Sequence, residues 1–315
     1  MALRVTNQMI AAQTLRNLKS SLTRLDRYNY QLSTGKRINL PEDDPAGTAI
    51  SMRLRTNVLE TEQYLQNVAE GIAWLEATDS ALDQATQVLQ RARTLVVYAG
   101  NDALAEDSRT AISMELAQLI EDLVQIGNLQ HGDRYLFGGE NTLTEPFVAE
   151  YAADGKKILS VTYRGTVGDY SVYSDPDVAD SLGLVQEIGP GIKVRISTHG
   201  DVALLPAVQA LIRARESVDA GDVERLSTEV IKAIDDALGA LLSSRAEVGA
   251  RTNRLEHVRS RLEHTHTNLL QLVSNREDAD MVEVIMNLKL EETVYQLALA
   301  SGARVLQPTL MDFLR

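Results

Sequence analysis

Apolar side chains recur along this chain in alternating steps of four and three residues, the spacing that keeps one stripe of a helix facing a partner. From Leu54 the series runs through Val58, Thr61, Leu65, Val68, Ile72, Leu75, Asp79, Leu82, Thr86, Leu89, Arg93 and Val96, and nine of these thirteen positions are aliphatic. It predicts one long helix. After a break at Gly100-Asn101-Asp102, the residues Ile112, Leu116, Leu119, Leu123 and Ile126 resume the spacing on a shorter helix that should fold back. A third series, Val248, Leu255, Val258, Leu262, Leu269 and Leu272, predicts another long rod, with Arg251 and Thr265 as polar exceptions.

Proline marks where these rods stop, since its ring fixes φ and removes an N–H. All seven prolines stand at 41, 45, 146, 176, 190, 206 and 308, leaving residues 46–145 and 207–307 free of them. Between those stretches, residues 132–200 hold ten of the nineteen glycines, and Leu159, Val161 and Tyr163, then Ile192, Val194 and Ile196, alternate with period two. The expected fold is therefore mainly α: an elongated antiparallel helical bundle with coiled-coil terminal helices and a small β-rich inserted domain. The expected division is a terminal layer of residues 1–43 with 277–315, a bundle of 44–142 with 206–276, and a β-rich insertion of 143–205.

The two ends are amphipathic and opposite in charge. Residues 1–40 carry seven basic groups and one acid, whereas residues 277–315 carry seven acids and three basic groups. Leu15, Leu18, Leu22, Leu25, Asn29 and Leu32 form one stripe; Ile285, Leu288, Glu292, Tyr295, Leu299 and Leu306 form another, with Phe313 beyond it. Each helix alone is marginal in water, so the stripes should bury each other or a partner. Taken by itself, the acid-poor N-terminus also fits a transit peptide or a membrane-surface helix, and the acidic partner at the far end weighs against both. Asn29 is either a register device or a tolerated polar core residue.

Composition narrows the chemistry. Thirty-one basic and forty-four acidic residues give a net charge of −13, which opposes a nucleic-acid partner. No cysteine is present, which removes disulfides, thiolate metal sites and cysteine nucleophiles. No apolar run reaches membrane-spanning length and the N-terminus lacks a signal-peptide core, so no membrane association is expected. His131, His199, His257, His264 and His266 include no i, i+4 pair, and no metal, cofactor or catalytic site is expected. The acidic run Glu42-Asp43-Asp44-Pro45 is read as a helix start, with Asp44 as cap and Pro45 as first helical residue.

Gln31-Leu32-Ser33-Thr34-Gly35-Lys36-Arg37-Ile38-Asn39, followed by Asp43-Asp44-Pro45-Ala46-Gly47, resembles the N-terminal signature of the flagellin superfamily. Val97-Tyr98-Ala99-Gly100-Asn101, Arg134-Tyr135-Leu136-Phe137-Gly138-Gly139 and Pro146-Phe147 are more similar to its hook-filament junction members than to flagellin, and the ending Gln307 to Leu314 is similar too. The resemblance implies a structural axial component of the bacterial flagellum, secreted through the type III export apparatus. It implies a place between the first hook-associated protein and flagellin, self-association in a ring, and an export chaperone on the C-terminal helix. It also implies that the terminal stripes, with Ser33, Gly35, Arg37, Asn39, Asp43, Asp44, Pro45 and Gly47 as connector, serve assembly rather than catalysis. A self-polymerising divergent flagellin is the alternative.

Overall fold

The computed structural model describes residues 7–101, 105–151, 158–165 and 184–306. Helix α1 (Asn7–Thr34) is followed by α2 (Pro45–Ala99) and α3 (Glu106–Gly127). Three two-stranded antiparallel hairpins come next: β1 (Gln130–His131) with β2 (Arg134–Tyr135), β3 (Phe147–Tyr151) with β4 (Ile158–Tyr163), and β5 (Val185–Gly189) with β6 (Ile192–Arg195). The chain returns to helix with α4 (Gly200–Ala203), α5 (Leu205–Ala220) and α6 (Val223–Arg225). A π-helical turn at Leu226–Val230 then leads into α7 (Ile231–Glu277), and α8 (Met281–Leu306) follows. The chain divides into two compact units, residues 61–264 and residues 1–60 with 265–315, and both α2 and α7 contribute to each.

The 61–264 unit is built on the stripe of α2. Val68, Ile72, Leu75, Leu82, Leu89 and Val96 are buried, together with Ile112, Leu116, Leu123 and Ile126 of α3 and Val248, Leu255 and Val258 of α7. Two of the polar exceptions on α2 fit the same seam, because Thr86 is buried with its hydroxyl donating to the Leu82 carbonyl, while Asp79 turns to an ion pair with Arg245. Helix α5 packs along α3 through Val208, Leu211 and Val218. Its Pro206 lies in the first turn, where a missing N–H costs nothing.

The hairpins belong to this same core. Phe147, Ile158, Ile188, Val194 and Ile196 are buried in one cluster with the bundle leucines. The Asn128 side chain, just past the end of α3, accepts from the Phe147 N–H at 2.9 Å and donates to its carbonyl at 2.8 Å, pinning β3 to the helix. From the paired strand, the Tyr163 hydroxyl donates to the Phe137 carbonyl at 2.7 Å and accepts from the Gly200 N–H at 3.2 Å. Buried Arg215 of α5 donates to the Ile158 carbonyl at 2.7 Å, tying β4 to the bundle. In β6, Val194 faces in and Ile192 out, as a period of two requires; in β4 the alternation slips, because the pairing with β3 shifts register between Glu150 and Tyr151.

Candidate assembly interface

In the other unit, α1 and α8 run antiparallel and in contact along most of their length. The least exposed positions step four and three along each: Thr14, Leu18, Ser21, Leu25, Tyr28 and Gln31 with Leu32 on α1, and Val284, Leu288, Glu291, Tyr295, Ala298 and Gly302 on α8. Of the stripe residues, Leu18, Leu25, Leu32, Leu288 and Tyr295 lie on this seam. Leu15, Leu22, Asn29, Ile285 and Leu299 lie beside it and are exposed. Leu306 ends α8 with its side chain outside the described set, and Phe313 lies outside the described residues.

Buried polar contacts set the register of this pair. Glu291 is buried, and its Oε1 accepts from the Ser21 hydroxyl at 2.5 Å and from Arg24 Nη2 at 2.7 Å. Those two bonds, the arginine's first, hold the Glu291 carboxyl below the usual carboxylate range against the opposing effect of desolvation. A buried carboxylate is stable only where its donors are, so sliding α8 by one turn would leave it unsatisfied.

The connector is fastened by a second carboxylate, Glu277, at the last position of α7. Its side chain accepts from Arg55 Nε at 2.6 Å, from Arg55 Nη2 and from the Ser51 hydroxyl, all on α2, and from Lys36 Nζ at 2.9 Å. Its backbone carbonyl accepts from the N–H groups of Arg37 at 2.6 Å and Ile38 at 3.4 Å. Arg55, then Ser51 and Lys36, bring the Glu277 pKa down to about 2, although burial works the other way. Gly35 takes φ +71°, a conformation few other residues adopt, and its carbonyl accepts from the Ala279 N–H at 3.0 Å. Arg37 Nη2 donates to the Arg276 carbonyl at 3.0 Å, and Asn39 Nδ2 to the Lys36 carbonyl at 2.8 Å.

The remaining connector residues start α2. Asp43 Oδ2 accepts from the N–H groups of Asn39 and Leu40, and Asp43 Oδ1 stands 3.6 Å from Arg27. Asp44 caps the helix through the Gly47 N–H at 2.8 Å, and Pro45 is the first helical residue. Ser33, in the last turn of α1, is exposed. A β-carbon on Gly47 would collide with the Asp44 carboxylate and come within 2.8 Å of Ile38 Cδ1. Gly47→Ala should therefore displace the cap and destabilise this unit by about 1–2 kcal/mol, read as a lower urea midpoint, whereas Ala46→Gly should have less effect.

Helix α8 has a second apolar face. Met286, Leu290 and Leu297 fall on the side away from the seam, and they are 62%, 63% and 65% exposed. The front of α8 is packed on α1, so these apolar side chains on its back are left facing solvent. On α1, Leu15 and Leu22 extend the exposed apolar area along one edge of the seam. Among the described residues no helix is long and apolar enough to cross a membrane, and no group of three or more His, Cys, Asp or Glu is placed to hold a metal ion.

The bacterial flagellin N-terminal helical region matches residues 5–142, and the bacterial flagellin C-terminal helical region matches residues 231–314. The chain belongs to the flagellin superfamily. The matched regions contain α1 to α3 on one side and α7 with α8 on the other, and so include the seam, the connector and the Glu277 clasp. Flagellin of Bacillus subtilis (strain 168) is 29% identical over 287 residues, covering 89% of each chain. Flagellar hook-associated protein 3 of Escherichia coli (strain K12) is 26% identical over 310 residues, covering 93% of this chain and 94% of its own. The crystal structure of Bacillus cereus FlgL aligns with a TM-score of 0.56 at 23% identity, covering 70% of this chain and 99% of that one. This superfamily member is a structural axial component of the bacterial flagellum, and these relatives are structural flagellar proteins.

Neither Glu277 nor Glu291 was singled out by the hydrophobic pattern, yet each left a trace in the sequence. Glu277 is an acid at a helix C-terminus, where the dipole disfavours it, so it calls for nearby cations. Glu291 stands one position from Glu292, the acid placed on the predicted stripe; sequence alone does not say which of two neighbouring acids faces a seam.

Proposed function

We propose that this chain is the junction piece between the first hook-associated protein and the flagellin filament, with a mechanical rather than a catalytic role. The uncovered apolar back of α8, on a helix already paired with α1, is the observation that carries the reading. Residues 1–43 with 277–315 act as the inner layer, 44–142 with 206–276 as the next, and 143–205 as the outer part, its hairpins rooted in the bundle core through Phe147, Ile158 and Ile188. In that arrangement the stripe residues meet neighbouring subunits, and the Ser33 to Gly47 connector joins α1 to the start of α2. Copies close into a ring, the chain is exported by the type III route, and a chaperone shields the C-terminal helix before assembly. The junction-like motifs at Arg134 to Gly139 and Pro146-Phe147 favour this position.

The second reading, a self-polymerising flagellin, is favoured by the 29% identity to the Bacillus subtilis flagellin. Adding the purified chain to hooks that carry the first hook-associated protein separates the two. A junction piece adds a short, self-limiting zone to which flagellin then adds. Continued growth of a long filament from this chain alone would establish the flagellin reading instead.

A further inference from the structure

One side of the 61–264 unit carries a recess where three elements meet. Helix α2 supplies Glu70, Ala73 and Trp74, the β1–β2 hairpin supplies His131, Asp133 and Arg134, and Leu184, Gln186 and Ile196 come from the β5–β6 hairpin and its flanks. Together they line an open recess of about 460 Å³, within the size of sites that hold small ligands. Trp74, the single tryptophan of the chain, is 4% exposed, and its Nε1–H has no acceptor. A buried donor without an acceptor is costly, and a ligand oxygen that reaches it removes that cost. The side chain packed against the indole is His131, with ring centroids 5.8 Å apart and planes at 77°. It is exposed and stands beside Gly132 on the hairpin turn, so the indole is screened by a surface residue rather than by the core.

The polar groups around the indole are mixed in kind. Arg134 and Gln186 can donate, Asp133 and Glu70 can accept, and Gln186 Nε2 lies 3.4 Å from Glu70 Oε2. Among the described residues neither Asp133 nor Arg134 enters an ion pair. A carboxylate ligand would suit Trp74 and Arg134 but would also face Asp133 and Glu70, and an amine would face Arg134. Hydroxyl groups donate and accept alike, so they match both kinds of lining group. The C–H faces of a sugar ring can at the same time cover Ala73, Leu184 and Ile196.

We propose that this recess binds an uncharged pyranose sugar, with one sugar oxygen accepting from Trp74 Nε1 and hydroxyl groups on Arg134 and Asp133. The site goes beyond the axial reading and does not depend on it. Mixed donors and acceptors select the hydroxylated ligand over a charged one, and the apolar wall holds the ring.

Because Trp74 is the only tryptophan, its emission reports on the recess in the full-length chain. The methyl glycosides of glucose, galactose, mannose and N-acetylglucosamine are titrated, with acetate and ethylamine as charged probes, and binding is followed in parallel by saturation-transfer NMR. At least one glycoside should give a saturable change at millimolar concentration, and neither charged probe should. Asp133 and Arg134 are exposed, so Asp133→Ala and Arg134→Ala leave the core intact, and each should weaken glycoside binding about fivefold. Trp74→Phe keeps a ring and removes the N–H, and should weaken the NMR response by a similar factor. No saturable response to any glycoside, saturation by acetate or ethylamine instead, or glycoside binding unchanged in both Asp133→Ala and Arg134→Ala would each overturn the proposed site.

Discussion

Placing a charge on the back of α8 should abolish filament growth without unfolding the subunit. Met286, Leu290 and Leu297 are mostly exposed in the single chain, so Leu290→Glu or Leu297→Glu removes little packing from the folded monomer. Covering a leucine is worth roughly 1.5–3 kcal/mol, whereas burying an unpaired carboxylate costs more than that gain. A single substitution thus reverses the sign of the local contact. The expected outcome is normal circular dichroism and thermal midpoint, with hooks that carry no filament. Charge changes at exposed sites away from the terminal helices, such as Glu140→Gln, should be tolerated. Loss of the thermal transition in Leu297→Glu would show that the back of α8 is covered within the subunit.

Removing the Glu277 carboxylate should have the largest effect on the terminal unit itself. Glu277→Ala deletes the acceptor for Ser51, Arg55 and Lys36 together. Arg55 and Lys36 are partly exposed and can return to water, so the expected loss is about 2–3 kcal/mol, below the cost of stranding a fully buried partner. The same contact predicts an acid-sensitive clasp. The folded pKa of about 2 lies below the ordinary value of 4.5, so its stabilisation is complete above that ordinary value and is lost as pH falls from about 4.5 toward 2. Solvent screening at the half-exposed Arg55 keeps the contribution to about 2 kcal/mol. Glu291 acts in the same direction, since its carboxyl is also held below the ordinary range. Urea midpoints of the full chain should fall below pH 4.5, and Glu277→Gln should flatten that fall. An unchanged pH profile in Glu277→Gln would show that the clasp does not carry the acid sensitivity.

How much of this was legible in the sequence depends on what each element uses for contact. The stripe of α2 was readable because its seam is almost entirely aliphatic, and the polar members at Thr86 and Asp79 satisfy themselves locally or at the edge. The start of α2 was readable because Asp44 and Pro45 act within one turn. The pairing of α1 with α8 was harder. Its seam carries Ser21, Gln31 and Glu291, residue types that a hydrophobic pattern assigns to solvent, while Leu15, Leu22, Ile285 and Leu299 remain exposed beside it. The stripe drawn from leucine spacing therefore combines part of the internal seam with part of the outer surface. The Glu277 clasp joins residues more than two hundred positions apart, and no periodicity records such a contact. The burial of Phe147 and Ile188 in the bundle core was hidden for a similar reason: short alternating strands announce a sheet face, not what that face packs against.

The central claim, that this chain ends one structure and starts another, is tested most directly by locating it. Gold-labelled antibody against the chain, applied to intact flagella and viewed by electron microscopy, should mark one narrow zone where hook meets filament. Label distributed along the whole filament would contradict the junction reading and identify the chain as a filament subunit.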